Sequence, residues 1–111
     1  MYTNALSIDE TEEYFGPLYP YVCDDKITDI DYNGAAIWLT DCDNSRFKSE
    51  LSLSDDFIEQ FTQRVANTVS RPFHKHSPVL EAETGRLRIT IVHESVAISG
   101  RSICIRNAPD N

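Results

Sequence analysis

An α+β fold, an antiparallel β-sheet with one long and one short helix packed on it, is what the sequence predicts, and three observations predict it. From Arg86 to Val92 the apolar Leu87, Ile89 and Ile91 alternate with Arg86, Arg88 and Thr90, the period of a half-buried strand. Asn33-Gly34 separates two strand-like runs, Ile27–Tyr32 and Ala35–Thr40, and is a strong hairpin signal. Between these sheet-forming ends Phe57, Phe61, Val65 and Val69 recur every four residues, the signature of an amphipathic helix of about four turns. Strands thus come in runs and do not alternate with helices, as in an α+β domain.

Taken in order, Ser7 offers an N-cap with Glu10 three residues on, and the acidic stretch to Glu13 suits the first turn of a short helix. Gly16-Pro17 and Pro20 interrupt it, so Leu18–Val22 is expected as a second turn started by proline. Tyr14, Tyr19 and Tyr21 read as core or core-edge aromatics, because no basic residue lies among them to make a base-stacking platform. In the hairpin, Asp29 and Asp31 fall on the polar face. A carboxylate pair of this kind can do acid–base work, but exposed acids on an alternating strand are the commoner case. Asp41-Cys42-Asp43-Asn44-Ser45 is a turn into a third strand near Arg46–Leu51, and it lacks the glycine and closing glutamate of a calcium loop. Ser54 caps the long helix, Asp55 and Asp56 suit its dipole, and Arg71-Pro72 ends it. His74-Lys75-His76 lacks further ligands at metal-site spacing and reads as a solvated loop.

The closing stretch predicts strands at about 79–83, 86–93, 96–98 and 101–106, with turns at Thr84-Gly85 and Ser99-Gly100. Alternation puts Arg86 and Arg88 on one face of their strand. In the last strand it puts Ile103 and Ile105 opposite Ser102, Cys104 and Arg106. Guanidinium groups presented from a rigid sheet are suited to holding an anion such as a phosphate.

Composition limits the function classes. The 111 residues suit one domain, with 1–106 as its body and 107–111 as a polar tail. No apolar run approaches a membrane span, and the N-terminus lacks a signal-peptide pattern, so the expected location is the cytoplasm. Cys23, Cys42 and Cys104 are odd in number and widely spaced, which argues against a disulfide framework. The net charge of −8 is uneven: residues 1–60 hold 14 acidic and 3 basic side chains, and residues 61–111 hold 4 and 7. That overall sign disfavours a duplex nucleic-acid binder, while the basic half leaves room for a small anionic ligand.

The ordered motifs Ile27-Thr28-Asp29-Ile30, Asn33-Gly34, the long helix, Pro78-Val79-Leu80-Glu81-Ala82, Gly85-Arg86-Leu87-Arg88, Val96, Gly100 and Ile103-Cys104-Ile105-Arg106 carry a family resemblance. From about Asp25 onward the chain resembles the N-terminal domain of the type II/IV secretion ATPases, the hexameric P-loop motors of conjugation, type IV secretion and Tad-type pilus assembly. Two departures stand out: Glu94-Ser95 where the family usually has a Pro-Pro pair, and Ala82-Glu83-Thr84-Gly85 where it usually has Leu-Pro-Asp-Gly.

The resemblance implies that Arg88 and Arg106 reach the phosphates of a nucleotide held at the interface with a motor domain. Arg86 and Arg101 have no such assignment and are expected as surface charges or ion-pair partners. It further implies ATP and magnesium as cofactors of the full-length protein, with none expected on the isolated domain. The implied partners are the C-terminal motor domain, neighbouring subunits of a homo-hexamer, and inner-membrane secretion or pilus proteins, with no direct nucleic acid contact. The implied location is the cytoplasm, peripheral at the inner face of the cell membrane, and residues 107–111 would begin the linker to the motor. None of the glycines 16, 34, 85 and 100 is followed by lysine, so the sequence carries no P-loop and is not expected to hydrolyse ATP by itself. A stand-alone acidic secretion chaperone or adaptor is the alternative on size and charge, and a ligand-sensing domain resembling the PAS class is a third reading.

Overall fold

A computed structural model describes residues 8–84, 86–97 and 99–107. It shows the α+β fold: one six-stranded antiparallel sheet, with helices covering one face. The strands are β1 (Ile27–Tyr32), β2 (Ile37–Asp41), β3 (Arg46–Lys48), β4 (Val79–Glu83), β5 (Leu87–Val92) and β6 (Ser102–Asn107). Their spatial order is β3-β2-β1-β6-β5-β4. The helices are α1 (Glu12–Phe15), α2 (Tyr19–Val22), joined to α1 by a 3-10 turn, and the long α3 (Asp55–Val69).

Two locally formed units make this sheet. β1, β2 and β3 form a meander from the first half of the chain, and β4, β5 and β6 form another from the second. The units join where β6 pairs β1, with Asp29 opposite Arg106, Ile30 opposite Ile105 and Tyr32 opposite Ile103. Period-two alternation then sorts the strands, apart from an irregularity between Ile27 and Asp29 in β1. Ile30, Ile37, Leu39, Leu80, Leu87, Ile89, Ile91, Ile103 and Ile105 lie on the covered face and are all buried.

The helices fill that face for reasons visible in their sequence. Ser54 Oγ accepts the N–H of Phe57, capping α3, and Asp55 and Asp56 sit in its first turn. Ile58, Phe61, Thr62, Val65 and Ala66 are its buried stripe, with Phe57 and Val69 at the margins. Thr62 satisfies its hydroxyl by donating to Ile58 O. Phe61 meets Tyr14 edge-on at 6.1 Å and stacks with Phe57 at 5.6 Å between ring centroids. Phe15, Leu18 and Val22 complete this layer. Truncating a fully buried ring such as Phe61 costs about 3–5 kcal/mol, so this aromatic layer ties α3 firmly to α1.

Several local expectations need correction. The first helix begins at Glu12, capped by Thr11 Oγ1, which accepts the Tyr14 N–H. Ser7, the expected cap, lies outside the described residues. The hairpin forms, but Asn33 N–H bonds Ala36 O, so its turn centres on Gly34-Ala35, one residue on from the expected Asn33-Gly34. Asn33 keeps its backbone out of the left-handed region, and its Oδ1 accepts the N–H groups of Ala35 and Ala36. Gly34 alone takes a positive φ, +94°, and a Cβ there would meet Ser99 O at 2.4 Å. The expected strand at 96–98 does not form in its described part: the Val96 and Ala97 N–H groups both bond His93 O, closing a turn, and Ile98 lies outside the described residues. Gly85 and residues 108–111 also lie outside them. Finally, β6 runs through Asn107, whose Oδ1 accepts from Arg86 Nη1 at 2.8 Å.

Candidate functional site

Among the described residues no helix lies on the second face of the sheet, and its side chains form rows across the strands. One row reads Glu83 on β4, Arg88 on β5, Arg106 on β6, Asp29 on β1, Thr40 on β2 and Arg46 on β3, each residue directly opposite the next. Arg88 and Arg106 are therefore neighbours on a rigid surface, although 18 positions separate them in sequence. Like charges so placed repel. Relief comes from either side: Arg88 Nε donates to Glu83 at 3.0 Å, and Arg106 Nε to Asp29 at 3.0 Å. Both guanidinium groups remain close to two-thirds exposed. The hydrogen bond to Asp29 pushes the Arg106 pKa further up, so it is a permanent cation. Asp29, only 20% exposed, is steadied in turn by the Thr28 hydroxyl at 3.0 Å from Oδ2.

The next row places Glu81, Thr90, Cys104, Asp31, Trp38 and Lys48 side by side. Burial and the neighbouring Asp31 carboxylate push the Cys104 thiol up to about 12, so it stays protonated. Asp31 pairs with Arg46 at 2.9 Å, and Arg46 also lies 5.5 Å over the Trp38 ring. Asp29 and Asp31 are each tied to an arginine, which fits ion pairing and not an acid–base dyad.

Arg86 and Arg101, expected as ion-pair partners, are just that, and they leave the open face. Arg86 falls in the turn before β5, and its guanidinium meets Glu10 at 2.7 Å and Asn107. Arg101 is more informative: its side chain is 13% exposed, bonded to Glu59 and Glu94, and stacked over Phe73 at 5.2 Å. It borders a cleft of about 320 Å³ that also takes in Tyr32, Gly34, Asp55, Glu59 and Glu94. Three carboxylates against one arginine make that cleft unsuited to an anion. Sequence reasoning ranks Arg101 no higher than any surface charge. The signal it lacks is the packing of the Glu94 turn against α3.

The row from Glu83 to Asp29 can therefore do one thing well: offer two adjacent cations on a rigid sheet, one balanced by the exposed Glu83 and the other by the more buried Asp29. An exposed ion pair contributes about 0–1 kcal/mol, so a dianionic oxyanion can displace the exposed Glu83 at little cost, and the more buried Asp29 only at a greater one. The two arginines are the pair singled out from the sequence, and the structure brings them together.

Comparison with known proteins gives the fold a relative. No family model matches the chain. An uncharacterized protein of Bacillus anthracis is 26% identical over 82 residues, covering 72% of this chain and 19% of its own. Among solved structures, the VirB11 ATPase from the Brucella suis type IV secretion system, crystallised in complex with sulphate, superposes with a TM-score of 0.78. The match covers 93% of this chain and 33% of the VirB11 chain at 20% identity. This chain therefore spans about a third of that ATPase and about a fifth of the curated relative, and what it shares with the VirB11 ATPase is a fold.

Proposed function

We propose that this chain is the N-terminal, ring-forming domain of a type II/IV secretion or pilus-assembly ATPase, and that Arg88 and Arg106 contact the phosphates of ATP bound by a P-loop motor domain. The observation that carries the reading is the side-by-side placement of the two exposed guanidinium groups on the helix-free face. The shared fold with a type IV secretion ATPase supports it.

The chemistry follows from the row. Phosphoryl transfer needs positioned positive charge near the terminal phosphate, and arginine matches phosphate oxygens with paired N–H donors. Among the described residues no group of three His, Cys, Asp or Glu gathers as a metal site, so magnesium would be held by the nucleotide and the motor domain. This chain contributes two cations. With a γ-phosphate present, Arg88 and Arg106 turn from Glu83 and Asp29 towards it. After its loss they return, and the change in contact is felt as a rotation of the domain. The partners in this reading are the motor domain, neighbouring subunits of a homo-hexamer, and secretion or pilus proteins at the inner face of the membrane. Among the described residues no helix is long and apolar enough to cross a membrane.

Nucleotide discrimination tests the reading. In a protein carrying this domain and its motor domain, ATP should bind more tightly than ADP, and Arg88→Gln/Arg106→Gln should close most of that gap. An unchanged preference for ATP, in a variant with a native circular dichroism spectrum, would refute the arginine roles.

A further inference from the structure

The two edges of the sheet are complementary in charge and in the backbone groups they leave unpaired. At the β4 edge, His93 N–H bonds Pro78 O and Thr84 N–H bonds Leu87 O. With the β4–β5 register, these two bonds make residues 78, 80, 82 and 84 the ones that bond β5. Val79, Glu81 and Glu83 therefore turn their N–H and C=O groups to the free edge and their side chains to the open face. At the β3 edge, Asp41 N–H bonds Ser45 O and Ser49 N–H bonds Ile37 O, so residues 45, 47 and 49 bond β2. Arg46 and Lys48 are left with outward backbone groups and with cationic side chains on the open face.

An exposed edge strand is a template for another strand. Here the charges choose which one. β3 against β3 would set Arg46 and Lys48 against each other, and β4 against β4 would set Glu81 and Glu83 against each other. β3 against β4 places Glu83 opposite Arg46 and Glu81 opposite Lys48. Among the described residues Glu81 and Lys48 have no ion-pair partner in their own chain. The intervening pair is Phe47 and Ala82. Phe47 is 43% exposed, one of few large apolar side chains left open. Ala82 leaves space at this edge, where a cleft of about 580 Å³ is lined by Val69, Arg71, Glu81, Ala82, Glu83 and Arg88. A second cleft, of about 290 Å³, continues along the same edge past Pro72, Val79 and Leu80.

Direction agrees as well. Six antiparallel strands place β3 and β4 in opposite senses at the two ends of the sheet. A second copy carried across without inversion brings its β3 antiparallel to the first copy's β4, with open faces on the same side.

We propose that copies of this chain join head to tail by adding β3 of one to β4 of the next, with Glu81–Lys48 as the ion pair and Phe47 seated in the cleft beside Ala82 and Val69. Such a contact is heterologous: it closes into a ring where the rotation per copy allows, and otherwise continues as a filament. The inference does not rest on a phosphate role for Arg88 and Arg106: neither belongs to the new strand pair, and the contact touches that row only at Glu83, the partner of Arg88, and where Arg88 lines the cleft.

Sedimentation velocity over a concentration series tests it. The parent chain should show a sedimentation coefficient that rises with concentration. Lys48→Glu and Glu81→Lys should each weaken association by about tenfold or more, because each turns an ion pair into a like-charge contact. Mixing these two variants should restore association, since each edge of one then meets its opposite on the other. Phe47→Ser should also weaken it, which a purely electrostatic attraction would not produce. All three sites are on exposed side chains, and far-UV circular dichroism confirms folding. The proposal is overturned by a parent that stays monomeric at every concentration, by single variants that associate like the parent, by variants that stay apart when mixed, or by Phe47→Ser leaving association unchanged.

Discussion

Arg88 and Arg106 face each other directly across β5 and β6, and each is balanced from its outer side by a carboxylate 3.0 Å away, Glu83 and Asp29 respectively. The four side chains read minus, plus, plus, minus across four adjacent strands. An anion that settles between the two central charges replaces both outer contacts with one shared ligand. Every strand in this row is hydrogen-bonded to its neighbours, so the spacing of the arginines is set by the sheet and not by loop motion.

The junction of the two halves of the sheet is guarded by Gly34. Its φ of +94° disfavours any side chain, and a Cβ would lie 2.4 Å from the Ser99 carbonyl oxygen. Gly34→Ala should therefore lower stability by about 2 kcal/mol or more. Urea unfolding would report it as a lower midpoint at an unchanged slope.

Arg101 is held by Glu59, Glu94 and the Phe73 ring, and Arg101→Met keeps the stem while removing the charge. Glu59 and Glu94 remain hydrated once unpaired, so the loss at neutral pH should be about 1–2 kcal/mol. The hydrogen bond from Arg101 holds the Glu94 carboxyl below its ordinary range. A carboxylate lowered in the folded state stabilises above its unfolded value of about 4.3, and the stabilisation is lost as pH falls through the folded value. Thermal unfolding should accordingly show the parent losing more stability than Arg101→Met between about pH 5 and pH 3.

Cysteine labelling reads the open face. Cys23 and Cys42 are exposed, whereas the Cys104 thiol is half-buried between Thr90 and Asp31 and pushed up to about 12. Iodoacetamide at mildly alkaline pH should modify two cysteines per native chain, counted by mass spectrometry, and a third only after denaturation. Rapid labelling of Cys104 in the native protein would contradict its assigned setting.

Much of the fold and of the arginine row is legible in the sequence, for identifiable reasons. Alternation in Leu87-Arg88-Ile89-Thr90-Ile91 fixes the face of Arg88, because one face of that strand is fully buried and a one-residue slip would bury charge. The four-residue spacing of Phe57, Phe61, Val65 and Val69 locates α3, with Ser54 marking its start. Pairing at a distance is what local patterns do not carry. That Asp29 meets Arg106, 77 positions away, depends on β6 docking against β1, and no local pattern encodes that register. The same holds for Arg101, whose burial comes from a turn folding onto α3. Arg86 shares the alternation of Arg88, yet the turn before β5 carries it to Glu10 and Asn107. Alternation is informative only where the strand has begun.

The proposed action of Arg88 and Arg106 on the terminal phosphate of ATP is decided by ATP turnover. The measurement is steady-state hydrolysis by the proposed ATPase, this domain joined to a P-loop motor, with Arg106→Ala compared to the parent and the variant's fold checked by circular dichroism. A loss of about 10³-fold in kcat, the scale of an arginine that stabilises charge in phosphoryl transfer, is the predicted result. Turnover equal to that of the parent, from a folded and assembled variant, would contradict it.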